Sequence, residues 1–330
     1  ALGLVQPIQI YPMFENALRY HLGESIDEHQ RKISELWASF SAVAAGNPHA
    51  WIREPKTAEE IRTLSAFNRP VSFPYPKLMN SNNNVDQGAA LILCSETRAR
   101  ALGIPEEKWV YPWAGTDAHD AYAVSNRDTF YESPAIRVAG RRALELCDLS
   151  PGDVDHVDVY SCFPVAVQVG AGEIGLDTGR PLTVTGGLTF AGGPLNNYVM
   201  HSIARMAELL RENRDARGLI TANGGYLTKH AFGVYSATPP SRPFRHQDVQ
   251  KEVDRVPLRD AVETHNGSAT VEGYTVMYAG ESPSKGYLAA LLDDGRRTWA
   301  TLEDPDVLAA MVTEEFCGRP VTLADKQARF

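Results

Sequence analysis

Val154-Asp155-His156-Val157-Asp158-Val159-Tyr160 alternates apolar and polar residues and runs straight into Ser161-Cys162-Phe163. A period of two predicts a β-strand with one covered face. Tyr160, Ser161 and Cys162 would then stand where that strand leaves its sheet. Upstream, Ser133-Pro134 opens a helix reaching about Cys147, with proline at the first helical position. Farther upstream, Ala89-Ala90-Leu91-Ile92-Leu93-Cys94 is a continuous apolar run, the mark of a strand buried on both faces. A helix from Ser95 to Leu102 follows, stopped by Gly103. Downstream, a helix from Asn197 to about Asn213 carries Ile203, Met206, Leu209 and Leu210 on one face. Gly218–Thr221 and Phe232–Tyr235 read as short strands. Strands alternating with helices predict an α/β layered core over residues 85–237.

The flanks differ from this core. Residues 1–84 look helical and loop-rich. Pro12–His21 has helical patterning, Asp27 caps a run through Ile33, Trp37 and Phe40, and Thr57 with Glu60 forms a capping box. Phe73-Pro74-Tyr75-Pro76 is extended. With no strand of its own, this part reads as a lid or covering subdomain. Thr238–Pro243 reads as a linker into a third unit, residues 238–330. There, Ala269–Tyr278, Gly286–Leu292 and Thr298–Leu302 are strand-like, and Asp304-Pro305 opens a short helix. A small, mostly-β, barrel-like unit of the oligonucleotide-binding type is expected.

Composition narrows the function classes. The chain has 330 residues, 43% hydrophobic and 22% charged, which is globular composition. Its formal net charge is −9, and residues 245–330 hold ten Lys+Arg against fifteen Asp+Glu, so no nucleic-acid partner is expected. Four cysteines, at 94, 147, 162 and 317, form no C-x-x-C pair and read as reduced thiols in a reducing, cytoplasmic compartment. The nine histidines show no metal-ligand spacing, so no metal is expected. Apolar runs are too short for a membrane span, and no signal peptide is evident. The opening Ala1-Leu2-Gly3-Leu4 lacks an initiator Met and reads like the middle of a protein.

Gly170-Ala171-Gly172-Glu173-Ile174-Gly175 matches a dinucleotide fingerprint in letters but lies ten positions beyond Tyr160. It reads as a helix end with small residues. Thr185-Gly186-Gly187-Leu188-Thr189-Phe190-Ala191-Gly192-Gly193-Pro194-Leu195 and Asn223-Gly224-Gly225 are stronger signals, because glycine pairs let a ligand approach the backbone closely.

Together these motifs resemble the thiolase superfamily, most closely its sterol-carrier-protein and type 1 thiolase-like branches. Val85-Asp86-Gln87-Gly88-Ala89-Ala90-Leu91-Ile92-Leu93 looks like the D-G-A-A strand that closes the first thiolase half. Val157–Phe163 looks like the E-V-H-D-C-F strand, Gly186–Leu195 like the G-G-L…G-H-P-L loop, and Asn223-Gly224-Gly225 falls at the C-x-G loop. The resemblance covers about residues 8–237 and implies a layered αβαβα core, present here as the loop domain and the second half. Residues 238–330 resemble the additional C-terminal domain of the type 1 proteins. A coenzyme A thioester is the implied substrate or ligand, with no covalently bound cofactor. The absent first half, or another subunit, is the implied partner, and it would pair with the exposed edge of the Val85–Leu93 strand.

The departures matter as much. The histidine of the E-V-H-D-C-F strand is Tyr160 here, the G-H-P histidine is Gly193, and the C-x-G cysteine is Asn223. The nucleophilic cysteine belongs to the first half. Cys94 and Cys147 read as core, and Cys162 matches a cysteine that is not the nucleophile. The resemblance implies an acetyl-CoA acetyltransferase-type acyltransferase with a degenerate catalytic set. One alternative is retro-aldol cleavage of a β-hydroxyacyl-CoA, with Tyr160 as proton carrier, its pKa depressed by its neighbours. The other is a non-catalytic binder of CoA thioesters. Candidate catalytic residues are Tyr160, His230 and Asn223, the last as a side-chain N–H donor to an oxyanion. Gly186, Gly187, Gly192, Gly193, Gly224 and Gly225 are the candidate ligand-binding positions.

Overall fold

The computed structural model describes residues 2–330. Helix α1 spans Pro7–Leu22 and keeps Pro12 inside it, so it begins earlier than its apolar pattern predicts. Helix α2 spans Ile26–Gly46. Its cap is Ser25 rather than Asp27: the Glu28 N–H donates to Ser25 Oγ, and the Glu28 carboxylate accepts from the Ser25 N–H at 2.9 Å. Asp27 sits in the first turn, where its charge suits the helix dipole. Helix α3 (Ala58–Arg62) starts at the Thr57–Glu60 box, as its sequence predicts. Two short strands follow, β1 (Pro70–Ser72) and β2 (Tyr75–Pro76), where none was expected.

The apolar run 89–94 forms no strand. Ile92 is 93% and Leu93 80% exposed, and Cys94 is exposed rather than core. A strand needs a partner for its backbone donors, and among the described residues no other strand pairs with this segment. Helix α4 (Glu96–Ala101) then begins at the Ser95 cap.

The core sheet starts with β3 (Tyr111–His119), which the sequence conceals. Its buried positions are Ala114, Thr116 and Ala118, too small and polar to mark a hydrophobic period. Helix α5 (Pro134–Glu145) is capped by Ser133, and Cys147 lies half-buried just past its end. Strand β4 keeps only His156–Asp158 of the alternating run. Helix α6 (Pro164–Ile174) contains Gly170 and Gly172 and stops at Gly175 with φ 88°, a helix end as expected. After α7 (Gly187–Phe190) and α8 (Tyr198–Glu212) come β5 (Arg217–Gly224), β6 (Lys229–Ser236) and β7 (Arg245–Asp248). The order is β4-β5-β6-β3-β7, with β4–β5 and β3–β7 parallel and the inner pairs antiparallel. Successive residues on β5 face opposite sides. Leu219 joins the main core with α5 and α6, while Ile220 packs with Met206 and Leu210 of α8.

After α9 (Gln250–Val253), the last unit holds β8 (Gly267–Ala279), β9 (Ser282–Leu291), β10 (Arg297–Leu302), α10 (Pro305–Met311), β11 (Pro320–Ala324) and β12 (Gln327–Arg329). The pairings run β8–β9–β10–β12–β11 and return to β8, so they close on themselves. Closure leaves no long free edge. Val276, Leu288, Ala300, Leu302 and Met311 form a separate core inside the ring.

Two segments cross the boundaries expected at residues 84 and 238. Strand β7 extends the core sheet, and Ser72 of β1 pairs with Met277 of β8. Helix α1 also lies on β8. Asn16 Nδ2 donates to the Tyr274 carbonyl at 2.9 Å, and a Cβ on Gly273 would stand 3.0 Å from the Met13 carbonyl oxygen.

A buried charge network ties α1, α2, β2 and α6 together. Glu15, fully buried, accepts from His29 Nε2 at 2.7 Å, Tyr75 Oη at 2.5 Å and Gln168 Nε2 at 2.6 Å. His29 Nδ1 faces Glu24 at 2.5 Å. A carboxylate at each ring nitrogen makes both of them donors. Burial lowers the imidazole pKa, but Glu15 and Glu24 outweigh it and hold His29 above 6.5. The native state therefore binds this proton more tightly than the unfolded chain. The contribution is complete below about 6.5 and lost as pH rises through the raised value. Denaturation across that range is expected to show stability falling with pH in the wild type and a flatter profile in His29→Gln. Parallel profiles would contradict the charged assignment.

Candidate functional site

The site lies where β4 ends and the β5–β6 hairpin turns. Tyr160, two residues past β4, donates its backbone N–H to Thr221 Oγ1 at 2.9 Å and sets its ring edge-to-face on Tyr198 at 5.4 Å. Across the hairpin, Asn223 stands directly opposite His230, and Ala118 of β3 faces His230 from the other side. Residues opposed in this way present their side chains to one face. A cavity of about 530 Å³ opens there, lined by Tyr160, Tyr198, Asn223, Gly224, Lys229 and His230, with exposed Tyr122 and Leu195 beside it. A smaller void of about 10 Å³ adjoins Tyr160, Asn223 and His230 on the core side.

All four glycine positions before α8 were expected to cradle a ligand, but each is packed against the protein itself. Gly186 (φ 103°) is buried where a Cβ would fall 2.4 Å from Ala44 Cβ, and a Cβ on Gly187 would fall 2.6 Å from Phe40 Cδ1. These glycines let α2 approach. Gly192 is closed off by Gln87, while Gly193, also buried, donates its N–H to the Asn82 carbonyl at 2.9 Å. Only Gly224 lines the cavity, and Gly225 (φ 68°) makes the hairpin turn.

Asn223 does not offer its N–H groups to the cavity. Its Nδ2 donates to Tyr11 Oη at 3.0 Å and faces Cys162 Sγ at 3.6 Å, while Oδ1 is buried without a partner. The network sets this orientation: Tyr11 Oη accepts from the Leu227 N–H at 2.8 Å and donates to the Gly225 carbonyl at 3.2 Å, which leaves it an acceptor toward Asn223. Asn223 is thus an acceptor here, where the sequence reading made it a donor. Tyr11, stacked on Phe163 at 4.5 Å, braces the whole hairpin. It lies 212 positions from Asn223, and no local pattern marks it.

Proton affinities follow from burial. Burial first, and the nearby Cys162 second, raise the Tyr160 phenol above its ordinary value, so its neighbours do not depress it. Tyr160 is a protonated hydrogen-bond donor at neutral pH. Burial also pushes the Cys162 thiol up to about 12, outweighing the opposing hydrogen bond from Asn223. A thiol so held is a poor nucleophile. The His230 side chain is 2% exposed, and its Nε2 lies 3.6 Å from Asp120 Oδ2, beyond hydrogen-bond reach. Among the described residues no group of three or more His, Cys, Asp or Glu could hold a metal ion, and no helix is long and apolar enough to cross a membrane.

Comparison with known proteins agrees with this architecture. Residues 248–327 match the family model of the thiolase-like protein type 1 additional C-terminal domain. The crystal structure of a monomeric SCP2-thiolase-like protein type 1 from Mycobacterium smegmatis superimposes with a TM-score of 0.90 at 37% identity, covering 99% of this chain and 73% of that one. The chain belongs to the thiolase-like proteins of type 1. This thiolase-like chain is also similar to acetyl-CoA acetyltransferases of two archaea. It is 25% identical to that of Methanocaldococcus jannaschii over 157 residues and 29% identical to that of Methanothermobacter thermautotrophicus over 201 residues. It spans 37% and 50% of their lengths, about half or less. An Ltp2–ChsH2(DUF35) aldolase shares the fold, with a TM-score of 0.57 at 19% identity over 71% of this chain.

Proposed function

We propose that this thiolase-like chain binds CoA thioesters in the cavity between Tyr160 and His230 and cleaves the bond between the α- and β-carbons of a β-hydroxyacyl thioester. The observation that carries the reading is a proton acceptor and a proton donor on one cavity, with no competent thiolate beside them. His230 takes the β-hydroxyl proton. The C–C bond breaks, its electron pair passes to the thioester enolate, and a carbonyl compound leaves. Protonated Tyr160 then returns a proton to the α-carbon, giving the shorter acyl-CoA. No acyl-enzyme forms, so no cysteine is required. The shared fold with a protein named as an aldolase is consistent with this reading.

Acyl transfer, the activity in the names of the archaeal relatives, needs a thiolate when it passes through a cysteine acyl-enzyme. Cys162, with its pKa near 12, is not one. A partner carrying such a cysteine would meet the chain at exposed Ile92 and Leu93. A second reading, a CoA-thioester binder without turnover, is favoured by the raised Tyr160 phenol, a sluggish proton donor.

The test is a comparison of substrates. Acetoacetyl-CoA is expected to bind but not to be thiolysed, while β-hydroxyacyl-CoA is cleaved. Tyr160→Phe and His230→Gln should each lower that cleavage by roughly 10²-fold or more and leave affinity by calorimetry nearly unchanged. Binding with no cleavage of any β-hydroxyacyl thioester would select the binder, and thiolysis indifferent to Tyr160→Phe would sink both readings.

A further inference from the structure

We infer that Asp120 is a positioning residue for His230: it holds a proton on Nε2 and so leaves Nδ1 as the free base facing the cavity. The inference rests on the proposed role of His230, but its first test does not.

Asp120 follows β3 directly and is 5% exposed. Its Oδ2 accepts from Ser133 Oγ at 2.5 Å and its Oδ1 from the Ala135 N–H at 3.1 Å, which anchors it to the start of α5. Arg127 lies 3.6 Å from Oδ2. That guanidinium is itself fixed by the Leu227 and Glu132 carbonyls, each at 2.6 Å. Every neighbour of this carboxyl is a donor or a cation. Burial works to raise its pKa, but His230, Arg127 and Ser133 outweigh that and leave it lowered, so Asp120 is ionised.

The ionised oxygen faces His230 Nε2 at 3.6 Å, and that nitrogen is buried with no other partner. Only one neutral tautomer suits this arrangement. A bare Nε2 would set its lone pair against a carboxylate oxygen in a medium of low polarity, which is repulsive. An N–H there points at an anion, and a small ring rotation closes the gap to a hydrogen bond. Nδ1 makes no hydrogen bond with the protein and is not among the buried unpartnered atoms, while His230 lines the main cavity. Nδ1 is therefore the nitrogen left for a ligand. The other charges nearby do not compete for it. Lys229 is exposed, and Asp117 is held by His246 at 2.5 Å.

This arrangement gives the site an acceptor: His230 Nδ1 takes no hydrogen bond from the protein and His230 lines the cavity, so the matching ligand group is a hydroxyl or N–H rather than a carbonyl oxygen.

The experiment is long-range ¹H–¹⁵N correlation of histidine side chains in the ¹⁵N-labelled full chain, with His230→Gln assigning the signal. The neutral His230 ring is expected to carry its proton on Nε2. In Asp120→Asn, whose amide can turn an N–H toward the ring, the proton should move to Nδ1. Cleavage of a β-hydroxyacyl thioester should then fall by roughly 10²–10⁴-fold with KM little changed, whereas a purely structural defect would shift the melting temperature and leave the tautomer alone. An Nδ1–H ring in the wild type overturns the inference, as does an unmoved tautomer in folded Asp120→Asn. Should that variant not fold, the wild-type tautomer alone decides. If the tautomer is as stated but His230→Gln leaves turnover intact, the positioning stands and the proposed role of His230 fails.

Discussion

Arg297→Ala is expected to cost about 3–5 kcal/mol and to uncouple residues 267–329 from the α/β core. Arg297 is fully buried, and its Nε and Nη2 each reach a Glu272 oxygen at 2.5 Å. Its remaining donors cross to the core: Nη1 to the Ser125 and Arg127 carbonyls at 2.8 and 2.5 Å, and Nη2 to the Asp128 carbonyl at 3.1 Å. The guanidinium also covers the Phe130 ring at 4.3 Å. Alanine would leave the Glu272 carboxylate and three carbonyls without their donors, and leaving a buried charge unpaired is the dominant cost. Arg297→Met with Glu272→Met should recover only part of the loss, because the carbonyls stay unsatisfied. Each side of the joint has its own apolar core. Calorimetry of Arg297→Ala is therefore expected to resolve two transitions where the wild type shows one. A single transition within about 1 kcal/mol of wild type would mean that α1 on β8 carries the coupling instead.

That clasp was beyond the reach of the sequence, and the reason is general to this fold. Local signals were readable because their physics is local. The Thr57–Glu60 box, Pro134 behind its Ser133 cap and the stop at Gly175 depend on residues within a turn of one another. The strands β8, β9 and β10 were legible because each has a strongly apolar inner face. Strand β3 was not, because small residues face its core. The run 89–94 misled for the opposite reason: its apolarity is that of a buried strand, but no strand here pairs with it. The site divides in the same way. Tyr160, Asn223, Gly224 and His230 do meet, since two stand opposed on one hairpin and the others adjoin them. The earlier glycine pairs pointed elsewhere, because close approach of a helix and close approach of a ligand make the same demand on sequence. Tyr11 and Asp120 reach the site through contacts between distant segments, and composition near them says nothing of it.

Asp158→Ala should lower stability by about 2–6 kcal/mol, whereas Asp158→Asn should cost no more than about 1 kcal/mol. Asp158 ends β4, fully buried, and no cation pairs with it among the described residues. Its charge is met by hydrogen bonds alone. Oδ2 accepts from Thr183 Oγ1 at 2.8 Å and from the Val184 and Thr185 N–H groups at 2.9 and 3.3 Å. Oδ1 accepts from Tyr198 Oη at 3.0 Å and Ser202 Oγ at 2.7 Å. Alanine would strand the two backbone N–H groups, which cannot turn away. The hydroxyls can re-pair, as Thr185 and Tyr198 already lie 2.7 Å apart. Asparagine keeps an oxygen for the backbone donors and sets its amide against Tyr198 and Ser202, whose hydroxyls can rotate to accept. Burial raises the Asp158 carboxyl above 3.8, outweighing these hydrogen bonds, so the native state holds its proton more tightly than the unfolded chain. Any advantage of the wild type over Asp158→Asn is therefore largest in acid and shrinks as pH rises through the raised value. The consequence reaches the site, because Tyr198 carries the ring of Tyr160. Asp158→Ala should thus weaken β-hydroxyacyl-CoA cleavage even at temperatures where it remains folded, and Asp158→Asn should not. Denaturant titration of the three proteins at acid and neutral pH decides it: equal losses in the two variants, or a widening gap between wild type and Asp158→Asn as pH rises, would show that Asp158 does not hold this corner in the way its hydrogen bonds imply.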